Sequence, residues 1–153
     1  MPIWKYSVTG LDPDKMAIAS GRELPISPKA AREICASIKG LSLEDAKKML
    51  EEVIALKRPI PYKRYFKKIP HRHELNKWPA GRYPVKAAKY ILKVLKNAEA
   101  NAENKGLDVS RLYITHAASH RGFKIRKYIP RAFGRSTPFF HTLTHIEIIV
   151  EER

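Results

Sequence analysis

Ser119-His-Arg-Gly-Phe-Lys-Ile-Arg-Lys-Tyr-Ile-Pro-Arg-Ala-Phe-Gly-Arg-Ser-Thr-Pro-Phe-Phe140 lies between two strand-like segments. One is Leu112 to Ala118, the other Phe139 to Val150. In the second, Ile146, Ile148 and Val150 alternate with His145, Glu147 and Glu151. That two-residue period marks a strand with one buried face. The connection is too long and too regular for a tight turn. It reads as two arms of an antiparallel ribbon over 119–138, reversing near Pro130-Arg131-Ala132-Phe133-Gly134. Pro130 fixes its own φ and Gly134 accepts φ > 0, so the reversal has suitable residues. About a dozen residues per arm at ~3.3 Å each gives a reach of roughly 40 Å.

The ribbon is basic. Arg111, Arg121, Lys124, Arg126, Lys127, Arg131 and Arg135 fall between Val109 and Ile146, a span with no Asp or Glu. A two-stranded ribbon is marginal by itself in water. This one is expected to lie against a polyanion that supplies both charge and a surface.

Working back toward the start, the longest helix is expected from Pro84 to Lys105, with Gly106 past its end. Its apolar stripe is Val85, Ala88, Ile91, Leu92, Leu95, Ala98 and Ala102. Ser27-Pro28 opens an earlier helix that ends at Lys39 before Gly40, with Ala31, Ile34, Cys35 and Ile38 on one face. Ser42 caps another, in which Ala46, Met49, Leu50, Val53 and Ile54 recur at helical spacing. Lys15 to Arg22 reads as a third strand, and residues 1–14 as an N-terminal arm. The expected fold class is α+β: a small antiparallel three-stranded sheet packed against about three helices, with a long basic β-hairpin extension, all in one domain.

Between the second and third helices, residues 57–82 change character. Pro59, Pro61, Pro70 and Pro79 break regular structure. Lys57, Arg58, Lys63, Arg64, Lys67, Lys68, Arg72, Lys77 and Arg82 face a single acid, Glu74. Tyr62, Tyr65, Phe66 and Trp78 are interleaved with them. Cations hold phosphates, and rings stack on unpaired bases, so these four aromatics are candidates for base stacking. The competing expectation is that the rings pack on the domain and the lysines are solvated.

The totals agree with a polyanionic partner. Thirty Lys and Arg against 15 Asp and Glu leave a formal charge of +15 on 153 residues. Self-repulsion of that size opposes a compact fold unless something neutralises it. No apolar run approaches the ~20 residues of a membrane span. The opening Met-Pro-Ile-Trp-Lys is not a signal peptide, so a cytoplasmic location is expected. The one cysteine, Cys35, makes no intrachain disulfide and is expected to be a buried thiol.

Catalytic and metal sites are not expected, and no cofactor or small-molecule substrate is implied. His116 and His120 share a strand face but lie about 13 Å apart at strand rise, too far for one zinc ion. His71 and His73 bring no cysteine or carboxylate set. His120 and His145 are expected to meet phosphate or to pack in the sheet. Cys35 is buried, Ser119 has no base and orienter, and no carboxylate cluster suits Mg²⁺.

With these residues laid out, the chain resembles a large-subunit ribosomal protein, the universal family numbered twenty-two in bacteria, in its archaeal and eukaryotic form. Ile26-Ser-Pro-Lys-Ala-Ala-Arg32 is similar to the family's first helix opening. Asn97 to Asp108 resembles the end of its long helix, Pro130 to Arg135 the tip of its ribbon, and Thr144-His-Ile146 its return strand. The resemblance covers most of the chain and implies a domain lodged in large-subunit rRNA beside other ribosomal proteins, supporting assembly. It further implies a hairpin that lines the nascent-polypeptide exit tunnel. Carried over by position, Pro130, Arg131, Ala132, Phe133, Gly134 and Arg135 would form the tunnel tip. Lys124, Arg126 and Lys127 would bind RNA along the arm, beside Arg121, an RNA-binding candidate from the basic ribbon itself. Two departures stand out against bacterial members: the 57–82 segment, an insertion, and Pro138-Phe139-Phe140, where they are more basic. The alternative is an architectural DNA-binding protein that lays the ribbon in the minor groove, with Ile129-Pro130 as the wedge.

Overall fold

The computed structural model describes residues 5–10, 12 and 14–153. Three long strands form the central sheet: β1 (Met16–Leu24), β4 (Leu112–Ile125) and β7 (His141–Glu152). Their order is β1-β7-β4, with both pairings antiparallel. Three helices cover one face: α1 (Pro28–Ile38), α2 (Leu43–Ile54) and α3 (Val85–Asn104). Two short strand pairs complete the architecture: β2 (Ile60–Pro61) with β3 (Gly81–Arg82), and β5 (Tyr128–Pro130) with β6 (Ser136–Pro138). The expected α+β class, three-stranded sheet and three helices are all present.

Local chemistry explains the boundaries. Ser27 is extended and Pro28 takes the first helical position of α1, although the Ser27 side chain makes no capping bond. Gly40, at φ +87°, ends that run, and its N–H donates to the Ile114 carbonyl of β4 at 2.8 Å. The stop signal therefore also fastens the helix end to the sheet. Ser42 Oγ accepts the Asp45 N–H at 3.1 Å and so caps α2. In α3 the buried stripe is Ala87, Ala88, Ile91, Val94, Leu95, Ala98 and Ala102. Val85 and Leu92, expected on that stripe, are only half-buried.

α3 lies on β1 and β7, α1 on β4 and β7, and α2 against α3. Ile34, Ile38, Leu50, Ile91, Leu95, Ile114, Ile146 and Ile148 are fully buried among them. Cys35 is in the same core, and burial pushes its thiol up to about 12. Ala98 and Ala102 let α3 approach β1 closely. Asn101 Nδ2 then donates to the Ile18 carbonyl at 2.9 Å, and Lys105 Nζ to that of Met16 at 2.8 Å. These side chains satisfy carbonyls on the outer edge of β1, which would otherwise be open to another strand.

The opposite sheet face is not simply solvent-exposed. Glu147 is 2% exposed and Ile149 is fully buried. Residues of the N-terminal arm lie over that face. Ser7 donates both its N–H and its hydroxyl to Glu147 Oε2, at 3.1 and 2.6 Å. The Tyr6 hydroxyl meets Ser20 Oγ at 3.5 Å. The alternation in β7 correctly marked the core face, but a period of two cannot reveal what a distant segment covers.

Candidate nucleic-acid interface

Two basic surfaces project from this frame. The first is the hairpin. β4 and β7 stay paired from Leu112–Glu152 out to Ile125–His141, with register shifts between Ile114 and His116 and between Arg121 and Lys124. β5 and β6 continue the ribbon through Tyr128–Pro138, Ile129–Thr137 and Pro130–Ser136. The Arg131 N–H donates to the Arg135 carbonyl at 2.8 Å and closes the tip. Phe133 (φ +56°) and Gly134 (φ +66°) make the reversal. Gly134 adopts that region at no steric cost, whereas Phe133 does so with about 1 kcal/mol of strain. Every residue from Phe123 to His141 is exposed, and Phe133 is 98% exposed.

The second surface is the 57–82 segment. Its prolines exclude helices, yet it is a folded lobe, closed by the β2–β3 pair and a bridge between His71 and Ala80. Its anchor is a residue that sequence reasoning missed. Glu33, on α1, is 1% exposed. Its carboxylate accepts the backbone N–H groups of Lys63, Arg64 and Tyr65 at 3.2, 3.0 and 3.0 Å. Arg32 Nη1 adds a bond at 3.1 Å. A buried carboxylate is tolerable with this many donors. The available signal was an acid beside the apolar positions of α1, which alone does not name a partner.

The aromatics divide. Tyr62 is 5% exposed, and burial raises its phenol pKa above the ordinary value. It is a buried residue of the lobe, so the expectation that it could stack on a base is corrected: at 5% exposure too little of its ring is open to cover one. Trp78 is half-buried, and its indole N–H donates to the Tyr62 carbonyl at 2.9 Å. Phe66, 48% exposed, meets Trp78 edge to face at a centroid distance of 5.9 Å. Tyr65 is half-buried, with Lys29 Nζ 5.6 Å from its ring centroid.

Among the cations, Lys63, Arg64, Lys67, Lys68 and Arg82 of the lobe are exposed. So are Arg121, Lys124, Arg126, Lys127, Arg131 and Arg135 of the hairpin. Arg72 differs: it is half-buried, with its guanidinium 5.2 Å from the Tyr83 ring centroid. Among the described residues, none of these side chains is in a salt bridge; the pairs formed use other cations. The positive charge is thus displayed rather than consumed within the fold.

Two histidines, His120 and His145, serve the sheet. His120 and His145 are opposite partners in β4 and β7. His120 Nε2 is 3.7 Å from Glu147 Oε2, and His145 Nδ1 accepts the Glu23 N–H at 3.0 Å.

Comparison with known proteins places this architecture. The family model described as ribosomal protein L22p/L17e matches residues 19–151, from β1 through β7. The chain belongs to the L22p/L17e ribosomal protein family. The L22p/L17e match takes in both basic surfaces, including the 57–82 lobe. A protein named large ribosomal subunit protein uL22 from Archaeoglobus fulgidus is 55% identical, with 97% of this chain and 96% of that protein covered. The protein of the same name from Methanocaldococcus jannaschii is 53% identical, with 97% and 94% covered. That from Staphylothermus marinus is 50% identical, with 99% of each covered. The resemblance drawn from the helix opening, the ribbon tip and the return strand is borne out.

Proposed function

We propose that this L22p/L17e member is a structural constituent of the large ribosomal subunit that binds large-subunit rRNA and supports its assembly. The supporting observation is the display of unneutralised cations on two surfaces that project from one core. Lys63, Arg64, Lys67, Lys68, Arg72 and Arg82 act from the lobe. Arg121, Lys124, Arg126, Lys127, Arg131 and Arg135 act from the hairpin. They neutralise phosphates of separate RNA helices and release counterions. Tyr65, Phe66 and Trp78 offer ring surface to unpaired bases. The hairpin tip, Pro130 to Arg135, lines the nascent-polypeptide exit tunnel and meets the passing chain.

The role is architectural rather than catalytic. The chain works as one RNA-binding unit in cytoplasmic ribosomes, beside neighbouring large-subunit proteins. Its 57–82 insertion and 119–138 hairpin are the parts that reach outward. A DNA-bending role is disfavoured by family membership.

The test is competition at about 0.2 M salt, where weak phosphate attraction is screened. Purified protein is offered deproteinised large-subunit rRNA and kinked duplex DNA, with nucleotide protection mapped on the winner. Discrete protected patches on several rRNA helices support the proposal. Preference for the DNA, with bending lost in Pro130→Ala, overturns it.

A further inference from the structure

A cleft of about 680 Å³ opens between the start of α1 and the 57–82 lobe. That volume is within the roughly 300–1,000 Å³ of small-ligand sites. Its walls include Tyr65, Phe66 and Tyr83, and its rim carries Lys29, Arg64, Lys67, Lys68 and Arg82. Among the described residues, no carboxylate lines it. From this geometry we propose that the cleft receives a single unpaired nucleotide of RNA, its base among the three rings and its flanking phosphates on the rim cations. The proposal rests on the rRNA-binding reading above and assigns it one specific subsite.

Three features favour a base over a featureless polyanion. Each ring has a partner that holds it: Tyr65 the rim residue Lys29, Phe66 the ring of Trp78, and Tyr83 the Arg72 guanidinium. The Tyr83 hydroxyl also donates to Glu74 Oε1 at 3.0 Å. Rings held in advance lose little side-chain freedom on binding. The lobe wall is itself fixed, because Glu33 grips three consecutive N–H groups beginning two residues before Tyr65. At the rim, Lys68 turns the chain at φ +60°, and Arg82 Nη2 donates to its carbonyl at 3.3 Å. Cations and aromatic rings thus line the same cleft. A duplex keeps its bases stacked, so only an unpaired or extruded nucleotide can enter.

The experiment uses the full chain and deproteinised large-subunit rRNA at 0.2 M salt. Ultraviolet cross-linking with mass spectrometry is expected to join Tyr65, Phe66 or Tyr83 to one discrete nucleotide. Phe66 is largely at the surface, so Phe66→Leu folds. It is expected to weaken rRNA binding about tenfold with the salt slope unchanged, and Phe66→Trp to restore it. Binding to heparin, a polyanion without bases, should not change in Phe66→Leu. Full rRNA affinity in Phe66→Leu, with no cross-link to the three rings, overturns the subsite while leaving the rRNA reading intact. Equal losses for rRNA and heparin also overturn it, leaving a charge site. Failure of the wild-type chain to bind rRNA defeats the broader reading instead.

Discussion

The Glu33 carboxylate of α1 accepts the backbone N–H of Tyr65 at 3.0 Å, joining the first helix to the basic lobe. Two further N–H groups share that carboxylate. Glu33→Ala strands three donors at a buried site and should cost about 2–4 kcal/mol. Glu33→Gln keeps one acceptor oxygen and should cost less. Urea unfolding measures both, and limited proteolysis should show the Ala variant cut first within 57–82. Wild-type stability in Glu33→Ala would mean that the lobe holds itself.

Acid should loosen the outer sheet face. Burial works to raise Glu147, but the Ser7 bonds and the charge of His120 and His116 hold it below its ordinary 4.5. A depressed carboxylate stabilises fully above its unfolded value and loses that contribution as pH falls through the folded one. His116 lies below its ordinary 6.5, through burial and then the charge of Lys39. The unfolded chain therefore takes up that proton first, and stability falls as pH drops below about 6.5. Both signs agree. Thermal melts from pH 7 to 4 should show Tm declining in two stages, with Glu147→Gln removing the lower one. A flat profile would exclude this coupling.

At the tip, Phe133 has neither burial nor a comfortable backbone to justify it. Phe133→Gly relieves the left-handed strain but adds unfolded-state freedom, two effects of similar size. Unfolding free energy should stay within about 0.5 kcal/mol. A larger loss in denaturant titration would assign the ring a structural contact in the free protein.

Salt should report the cations directly. If about eight phosphates are contacted, log K falls with log salt at a slope of roughly −6 to −7. Replacing Arg126 or Lys127 by Gln should make the slope shallower by about one each. A wild-type slope shallower than about −2 contradicts phosphate contact on this scale.

The hairpin should be ordered by its partner. Residues 121–137 have almost no buried surface, so their amides should exchange quickly in the free protein and slowly on rRNA. Strong protection without RNA would show that the ribbon is stable alone.

Much of this was legible from residue order. Gly40 and Ser42 bracket the α1–α2 turn, the β7 alternation marks the core face, and the acid-free run marks the exposed basic ribbon. The misses share a cause. Val94 displaced Leu92 from the α3 stripe because β1 and β7 together set which face points inward. Tyr62 and Phe66 are four residues apart with the same chemistry around them, yet one is core and the other surface.

Helix and strand periods, cap residues and net charge are properties of neighbours along the chain, and they settled the α+β class and the ribbon. The grip of Glu33 on Lys63 to Tyr65 and the cover of Ser7 over Glu147 arise between segments about 30 to 140 residues apart. Those contacts exist only once the core has brought the segments together, because a buried polar group is defined by what folds across it.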